Sequence, residues 1–285
     1  MRRKRAAFQG ERGAFSEEAV MQLLGERVEL EPRPAFRDVF QSLRSGQVDY
    51  AVIPIENTLA GSVHENYDYL LQFKLPILAE TRVRIVHNLI ARPGVRFTHV
   101  RRVFSHPVAL GQCRRFFEKN PRVASESYYD TAGSVKMLME QAPDGAAAIA
   151  SAAAARFYGA HILKRSIEDD RRNFTRFFLL ARKAPASTSG KHPKTSIVFA
   201  TRNVPGALFR CLSAFALRDI NLAKIESRPL RGRPWEYLFY LDFLGSIDEP
   251  RCHRALEHLQ ELTDLLQVLG CYQEAGATPP HSGAS

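Results

Sequence analysis

The sequence predicts an α/β protein with two α/β subdomains flanking a cleft, followed by a smaller α+β module of ferredoxin-like βαββαβ order. Three observations carry this. Short apolar runs alternate with helically spaced apolar residues as far as about residue 182, the pattern of a largely parallel sheet. From Arg182 to Pro193 the chain turns to Lys, Ala, Pro, Ser, Thr, Gly and His without apolar periodicity, which predicts a linker over 183–193. Beyond it, over 194–273, strand and helix patterns recur in βαββαβ order, leaving 274–285 as an expected flexible tail.

Element by element, Arg5 to Gln9 reads as a first strand, followed by a glycine turn and a helix from about Phe15. Phe36, Val39, Phe40 and Leu43 recur at helical spacing, Gly46 is placed to end that helix, and Tyr50 to Ile55 forms a buried strand. Val63, Tyr67, Leu70 and Leu71 predict the next helix. The strand-like, polar-interrupted stretch from Ile77 to Ala91 suits a chain crossing between sheets, with a subdomain boundary near 80. Then come strand Arg102 to Phe104, a helix from Pro107, a strand near Val123, a helix from Asp130, strand Ala146 to Ala150 and a helix from Ser151. The chain is expected to return to the first subdomain near 170, through strand Phe174 to Ala181. Downstream, strand Thr195 to Thr201 precedes a helix with Pro205 at its first position and Leu208, Cys211, Leu212 and Phe215 on one face. Strands Asn221 to Pro229 and Trp235 to Gly245 flank a turn at Arg231 to Pro234, and a helix after Asp248 leads to strand Leu265 to Tyr272.

With 285 residues, 45% of them hydrophobic and 25% charged, the chain is long enough for more than one core. Its 40 Lys and Arg against 30 Asp and Glu are scattered, so the excess reads as a solvated basic surface that draws a small anion, not as a nucleic-acid footprint. The alanine-rich Gly145 to Ala155 is too short to span a bilayer. No apolar segment follows Arg2, Arg3, Lys4 and Arg5, which predicts a cytoplasmic protein that binds no membrane. Cys113, Cys211, Cys252 and Cys271 are far apart, without zinc-like spacing, and read as inert thiols with no metal site.

Five blocks place small, hydroxyl or amide residues just after predicted strands, where open α/β sheets hold ligands. Gly10-Glu11-Arg12-Gly13-Ala14-Phe15-Ser16 is a turn suited to an anion at a helix start, or a tight turn with Ser16 as N-cap. Pro54-Ile55-Glu56-Asn57-Thr58 ends an apolar strand in polar groups that suit a site. Ser105-His106-Pro107 puts a hydroxyl at a helix start, as ligand group or N-cap, with Gln112 beyond. Asp130-Thr131-Ala132 alone reads as capping. In Asn173-Phe174-Thr175-Arg176-Phe177, polar Asn, Thr and Arg interleave with Phe, predicting one core face and one polar face.

These blocks, in this order, resemble the prephenate dehydratase family from about Arg5 to Tyr272, most specifically in Ile55-Glu56-Asn57, Ser105-His106-Pro107 and Thr175-Arg176-Phe177. Asn203-Val204-Pro205-Gly206-Ala207-Leu208 and Glu226-Ser227-Arg228-Pro229 resemble the phenylalanine-binding motifs of the ACT domains attached to that family. Thr58 stands where serine is usual, and Ala14 where a hydroxyl is common. The resemblance implies a periplasmic-binding-protein-like catalytic domain over 1–182 and an ACT domain over 194–273. It implies decarboxylating dehydration of prephenate to phenylpyruvate, with no cofactor, in a homo-oligomer, dimer or tetramer, regulated by phenylalanine. Aromatisation drives that reaction, so the protein has to hold a dianion and help hydroxide leave. Thr175 is then expected to hydrogen-bond the departing hydroxyl, with Asn57, Gln112 and Ser105 positioning substrate and Glu56 a candidate ultimate proton donor. Arg176 is expected as a carboxylate partner or structural ion pair, and Phe177, Asn173, Thr58, His106, Thr131, Ala132, Gly13 and Ser16 as substrate contacts. Asn203, Gly206, Ala207 and Leu208 are expected to line one side of an effector site between paired domains, and Glu226, Ser227, Arg228 and Pro229 the other. Arogenate as substrate, or a non-catalytic small-ligand binding protein, are the alternatives.

Overall fold

Ala6, Ala7 and Phe8 are fully buried in the first strand, β1 (Arg5–Gln9), because it lies between two parallel neighbours, β2 (Glu29–Arg33) and β3 (Tyr50–Asn57). The structure, a computed structural model, describes residues 3–184, 191–201, 203–230 and 236–276. The expected turn at Arg231 to Pro234, the strand start at Trp235, residues 185–190 of the expected linker and 277–285 of the expected tail lie outside the described residues. The chain divides into two compact units, Met1–Tyr67 with Thr81–Leu179, and Asp68–Glu80 with Leu180–Ser285.

In the first unit, α1 (Phe15–Leu24) and α2 (Phe36–Arg44) follow β1 and β2, and α2 buries Val39, Phe40 and Leu43, the face its spacing predicts. After β3 come a two-residue strand β4 (Gly61–Ser62), then α3 (His64–Phe73), which passes out of the first unit at Asp68, and β5 (Ile77–Arg84), which re-enters it at Thr81. The first sheet has the order β2-β1-β3-β11-β5, with β4 beside β3, so β11 (Phe174–Leu180) returns to its interior. The second sheet begins at β6 (Asn88–Ala91) and continues through β7 (Arg102–Ser105), α4 (Pro107–Gly111), α5 (Arg114–Glu118), β8 (Ala124–Ser127) and α6 (Thr131–Gln141). It ends with β9 (Ala146–Ala150), α7 (Ala152–Phe157) and β10 (His161–Lys164), in the strand order β10-β6-β9-β7-β8.

All five alanine-rich residues of β9 are buried because helices cover both faces. Ala146, Ala148 and Ala150 pack with α6 and α7, while Ala147 and Ile149 pack with Ala109, Cys113 and Phe116. Small side chains let the helices come close. At Gly13 (φ +81°) a Cβ would lie 2.4 Å from the Ala154 backbone, so this glycine is required for the approach of the first turn to α7. The crossings between the sheets run side by side: Ile85 N–H donates to the Asn173 carbonyl at 2.8 Å and Ile167 N–H to the His87 carbonyl at 2.8 Å.

The second unit carries β12 (Pro193–Thr201), α8 (Ala207–Ala216), β13 (Leu222–Pro229), β14 (Tyr237–Leu244), α9 (Pro250–Leu262) and β15 (Leu265–Gln273). Its antiparallel order β13-β14-β12-β15 is the ferredoxin-like arrangement that the βαββαβ sequence predicts. Ile197, Phe199, Leu241 and Phe243 bury one face under Cys211, Phe215, Cys252 and Leu259 of the two helices. On the other face Lys194, 2% exposed, pairs with the sealed Glu80 at 2.8 Å, a contact that holds β12 to the end of the 68–80 segment. Gly270 lies where a Cβ would be 2.3 Å from the Ile77 carbonyl oxygen.

Three element readings differ from the sequence expectation. The short strands β2 and β10 are not expected from the sequence: Pro32 in β2 discourages a strand reading, and β10 has only four residues. The helix expected from Pro107 breaks into α4 and α5, because the Asp169 carboxylate accepts Arg114 N–H (2.9 Å) and Arg115 N–H (3.1 Å) and so starts a new helix. Pro205 precedes α8 instead of opening it, since Gly206, with φ +76°, is the N-cap.

Candidate active site

Between the two sheets of the first unit lies a cavity of about 580 Å³. Asn57, Thr175 and Phe177 reach it from the first sheet, His106, Gln112 and Thr131 from the helix starts and ends of the second, and His87 from the crossing segment. Strand alternation decides which members of the last block take part. Asn173, Thr175 and Phe177 share one side of the strand. Arg176 takes the opposite side, over the Phe178 ring at 4.8 Å and 3.9 Å from Glu56. The expected division into a polar and a core face is therefore replaced by two mixed faces. Neither Arg176 nor Glu56 lines the cavity, and of the two roles expected for Arg176 the geometry gives the ion pair.

The hydrogen-bond polarity of the site follows from fixed donors. Asn57 Oδ1 accepts the backbone N–H groups of Leu59 (3.0 Å) and Ala60 (2.8 Å), so its Nδ2 must point the other way. That amide donates to Asn173 Oδ1 at 2.7 Å, to Thr175 Oγ1 at 2.9 Å and to the Phe174 carbonyl at 3.2 Å. With its oxygen so engaged, Asn173 donates through Nδ2 to Gln112 Oε1 at 2.9 Å. Gln112 Nε2 is then left facing Asn57 Oδ1 at 3.5 Å, a loose contact. Thr175 Oγ1 accepts from Asn57 and, among the described residues, its own O–H has no acceptor, so the proton is available to a molecule in the cavity.

The other expected site residues fall into two groups. Thr131 and His106 line the cavity, each at a helix start. His106 Nδ1 accepts Val108 N–H at 3.3 Å, and burial lowers the pKa of its ring against the opposing pull of Asp130. Thr58 braces the site: Oγ1 donates to the Arg172 carbonyl at 2.8 Å and accepts Phe174 N–H at 3.0 Å. Like Asn173 and Thr58, four further expected contacts do not line the cavity. Ser105 is sealed and donates to the Ile149 carbonyl at 2.6 Å, tying β7 to β9. Ala132 is core, Gly13 receives Ser151 Oγ on its carbonyl at 2.6 Å, and Ser16 is buried one residue past the start of α1, whose N-cap is Ala14.

In the second unit a cavity of about 220 Å³ sits at the start of α8, lined by Asn203, Gly206, Ala207 and Leu208 together with Tyr237 and Phe239. Glu226, Ser227, Arg228 and Pro229 do not line it. Alternation along β13 turns Arg228 to Asp68 at 3.4 Å and Glu226 to Lys224 at 3.6 Å. Ser227 and Pro229 pair in register with Phe239 and Tyr237, which do line it.

The family model for prephenate dehydratase matches residues 6–185. The chain belongs to the prephenate dehydratase family. Among curated members, it is 44% identical over 279 residues to arogenate dehydratase/prephenate dehydratase 2, chloroplastic, of Arabidopsis thaliana, covering 95% of this chain and 73% of that protein. Arogenate dehydratase 2 of Petunia hybrida is 44% identical over 95% of this chain and 72% of its own length. Among solved structures, prephenate dehydratase from Arthrobacter aurescens in complex with L-Phe superposes with a TM-score of 0.89 at 32% identity, covering 97% of this chain and 92% of that one. The cytoplasmic expectation is overturned by these relatives, since the Arabidopsis members are named as chloroplastic. That expectation rested only on the lack of an apolar run after Arg2, Arg3, Lys4 and Arg5.

Family resemblance at the motif level leaves out groups that this member brings to the cavity. His87 lines it from the crossing, 2% exposed, with Nε2 2.9 Å from Gln112 Oε1 and its ring edge-on to Phe15. A lone His within Ile85-Val86-His87-Asn88 gives no sequence signal. Glu11 ties the two halves of the unit together: its N–H donates to Asp130 Oδ2 at 3.1 Å, and its carboxylate takes Tyr129 Oη (3.1 Å) and Lys136 Nζ (3.2 Å). Burial raises the Asp130 pKa, opposed by N–H groups from Gly133 and Glu11. Among the described residues no cluster of His, Cys, Asp and Glu is placed to hold a metal ion, and no helix is long and apolar enough to cross a membrane. All four cysteines are free and buried.

Proposed function

We propose that this family member converts prephenate to phenylpyruvate in the cavity of the first unit. The observation that carries the reading is the polarity of the Asn57, Asn173, Gln112 and Thr175 cluster. It leaves the Thr175 proton directed at a bound molecule in the cavity. In the proposed reaction the ring carboxylate leaves as carbon dioxide and its bonding electrons enter the ring. The C4–O bond breaks, and the departing hydroxide takes a proton through Thr175 and leaves as water. A free threonine hydroxyl is a poor acid at neutral pH, so Thr175 relays a proton that solvent or a cavity acid resupplies. Glu56, on the far side of the sheet with Arg176, is not placed to be that acid.

Among the described residues lining the cavity none is Lys or Arg. The substrate carboxylates are therefore assigned to N–H groups at the start of α2, where Ala35 and Phe36 border the cavity, and to the Gln112 amide. Arogenate is the second reading, favoured by the names of the Arabidopsis and Petunia relatives. Its ammonium group would face Glu65 or Asp130, both at the cavity wall.

The βαββαβ module is proposed as an ACT domain that binds phenylalanine. The L-Phe in the Arthrobacter structure supports this, as does the match of Asn203, Gly206, Ala207 and Leu208 to one cavity. Ser227 and Pro229 of a second copy would complete the site, in a homo-oligomer. Turnover of prephenate and of arogenate, each with and without phenylalanine, tests all of this. Phenylpyruvate from prephenate, with a rate that responds to phenylalanine, is expected. A folded protein that turns over neither substrate contradicts the reading.

A further inference from the structure

We propose that His87 is a positioning residue for the dehydration, holding the Gln112 amide in the one orientation that presents its N–H groups to the substrate. The inference rests on the cavity of the first unit being the dehydratase site.

Gln112 is the member of the amide cluster that comes from the second half of the unit, at the end of α4, and nothing in the backbone fixes which way its side-chain amide faces. Two neighbours do. Asn173 Nδ2, forced to be a donor by the chain of bonds that starts at Leu59 and Ala60 N–H, lies 2.9 Å from Gln112 Oε1. His87 Nε2 lies 2.9 Å from the same oxygen. An amide oxygen has two acceptor positions, and both are filled here only if His87 carries its proton on Nε2. In that arrangement Gln112 Nε2 is turned to the cavity with only the 3.5 Å contact to Asn57 Oδ1, and so is ready for a substrate oxygen.

The rest of the imidazole environment agrees. Nδ1 is buried and has no hydrogen-bond partner, which suits a bare ring nitrogen and would be costly for a second N–H. Desolvation lowers the His87 pKa, against the Gln112 hydrogen bond and the Glu168 carboxylate, so the neutral ring is favoured. The ring cannot swing away, because it sits edge-on against Phe15 and its backbone is clamped on both sides. His87 N–H donates to Glu168 Oε2 at 3.0 Å, and its carbonyl accepts Ile167 N–H at 2.8 Å. His87 thus lies where both chain crossings meet, and it connects the halves of the unit to the orientation of one amide.

The test compares His87→Leu, which removes the donor, with His87→Gln, whose side-chain amide can donate to the same oxygen. Misdirecting a positioning group by about 1 Å costs up to about 10²-fold, so His87→Leu is expected to lose about 10–100-fold in kcat with KM changed less than about threefold. His87→Gln is expected to regain most of that loss. Nitrogen-15 chemical shifts of the unmodified protein, read without substrate, are expected to show the Nε2–H tautomer with an unprotonated Nδ1. A proton on Nδ1 instead, His87→Leu with unaltered kcat, or His87→Gln no better than His87→Leu overturns the proposal. If His87→Leu does not fold, the tautomer and the His87→Gln kinetics decide it. If the unmodified protein turns over neither prephenate nor arogenate, it is the dehydratase reading that fails, and the tautomer then decides the orientation of Gln112 alone.

Discussion

β11 and β13 each carry a contiguous block of expected site residues, and strand alternation divides both blocks, yet the outcomes differ. β11 is an interior strand, so the residues on its cavity side meet partners supplied by the same chain: Thr175 meets Asn57, and the adjoining Asn173 meets Gln112. β13 is at the edge of its sheet. Arg228 and Glu226 are committed to ion pairs on one face, while Ser227 and Pro229 are beside a cavity that they do not line. An interior strand can finish a site within one chain. An edge strand can supply half of one and leave its open side to a partner.

The strongest way to break the first half of this comparison is at Asn57. Asn57→Leu strands the N–H groups of Leu59 and Ala60 and removes the donor to Thr175. It is expected to cost about 10²–10³-fold in kcat/KM, and about 1–3 kcal/mol of stability by denaturant titration. Gly13→Ala separates folding from chemistry: a Cβ there meets the Ala154 backbone at 2.4 Å with φ at +81°. A melting temperature lowered by several degrees is expected, with activity per folded molecule retained at low temperature.

The edge strand is sharpened by a pair of changes. Ser227→Leu is expected to weaken the response to phenylalanine by about tenfold, a loss of about 1.4 kcal/mol of binding. Arg228→Ala, which removes the partly exposed pair with Asp68, is expected to leave the response intact and cost about 1 kcal/mol or less of stability. An equal loss of response in both would remove the alternation argument.

The smallest effect expected is in pH. The His87 pKa is lowered on folding from 6.5 by burial, so the unfolded chain binds the proton first as pH falls. The stability contribution of His87 is therefore present above pH 6.5 and lost progressively below it. Chemical denaturation across that range should show His87→Gln with a flatter profile than the unmodified protein.

Much of this arrangement was legible in the sequence, for identifiable reasons. Val39, Phe40 and Leu43 announce α2 by spacing, and Ala146 to Ala150 reads as the strand that β9 forms. Asn57, Gln112 and Thr175 were reached through their motifs. The facing of Arg176 and Glu56 was not, because in Asn173 to Phe177 polar and aromatic residues occur on both faces and composition does not say which face meets the cavity. Ser105 was misplaced for a related reason: a buried hydroxyl beside a helix start looks the same in sequence whether it serves a ligand or the Ile149 carbonyl. His87 left no trace, since its role depends on two crossings that only tertiary structure brings together.

The central claim is that the Thr175 hydroxyl gives its proton to the leaving group. Its most direct test is kcat on prephenate for Thr175→Val beside Thr175→Ser, with folding checked by circular dichroism. The account predicts a loss of at least about 10²-fold for the valine and a serine enzyme within about tenfold of the unmodified one. A folded valine variant with kcat close to that of the unmodified protein would contradict it.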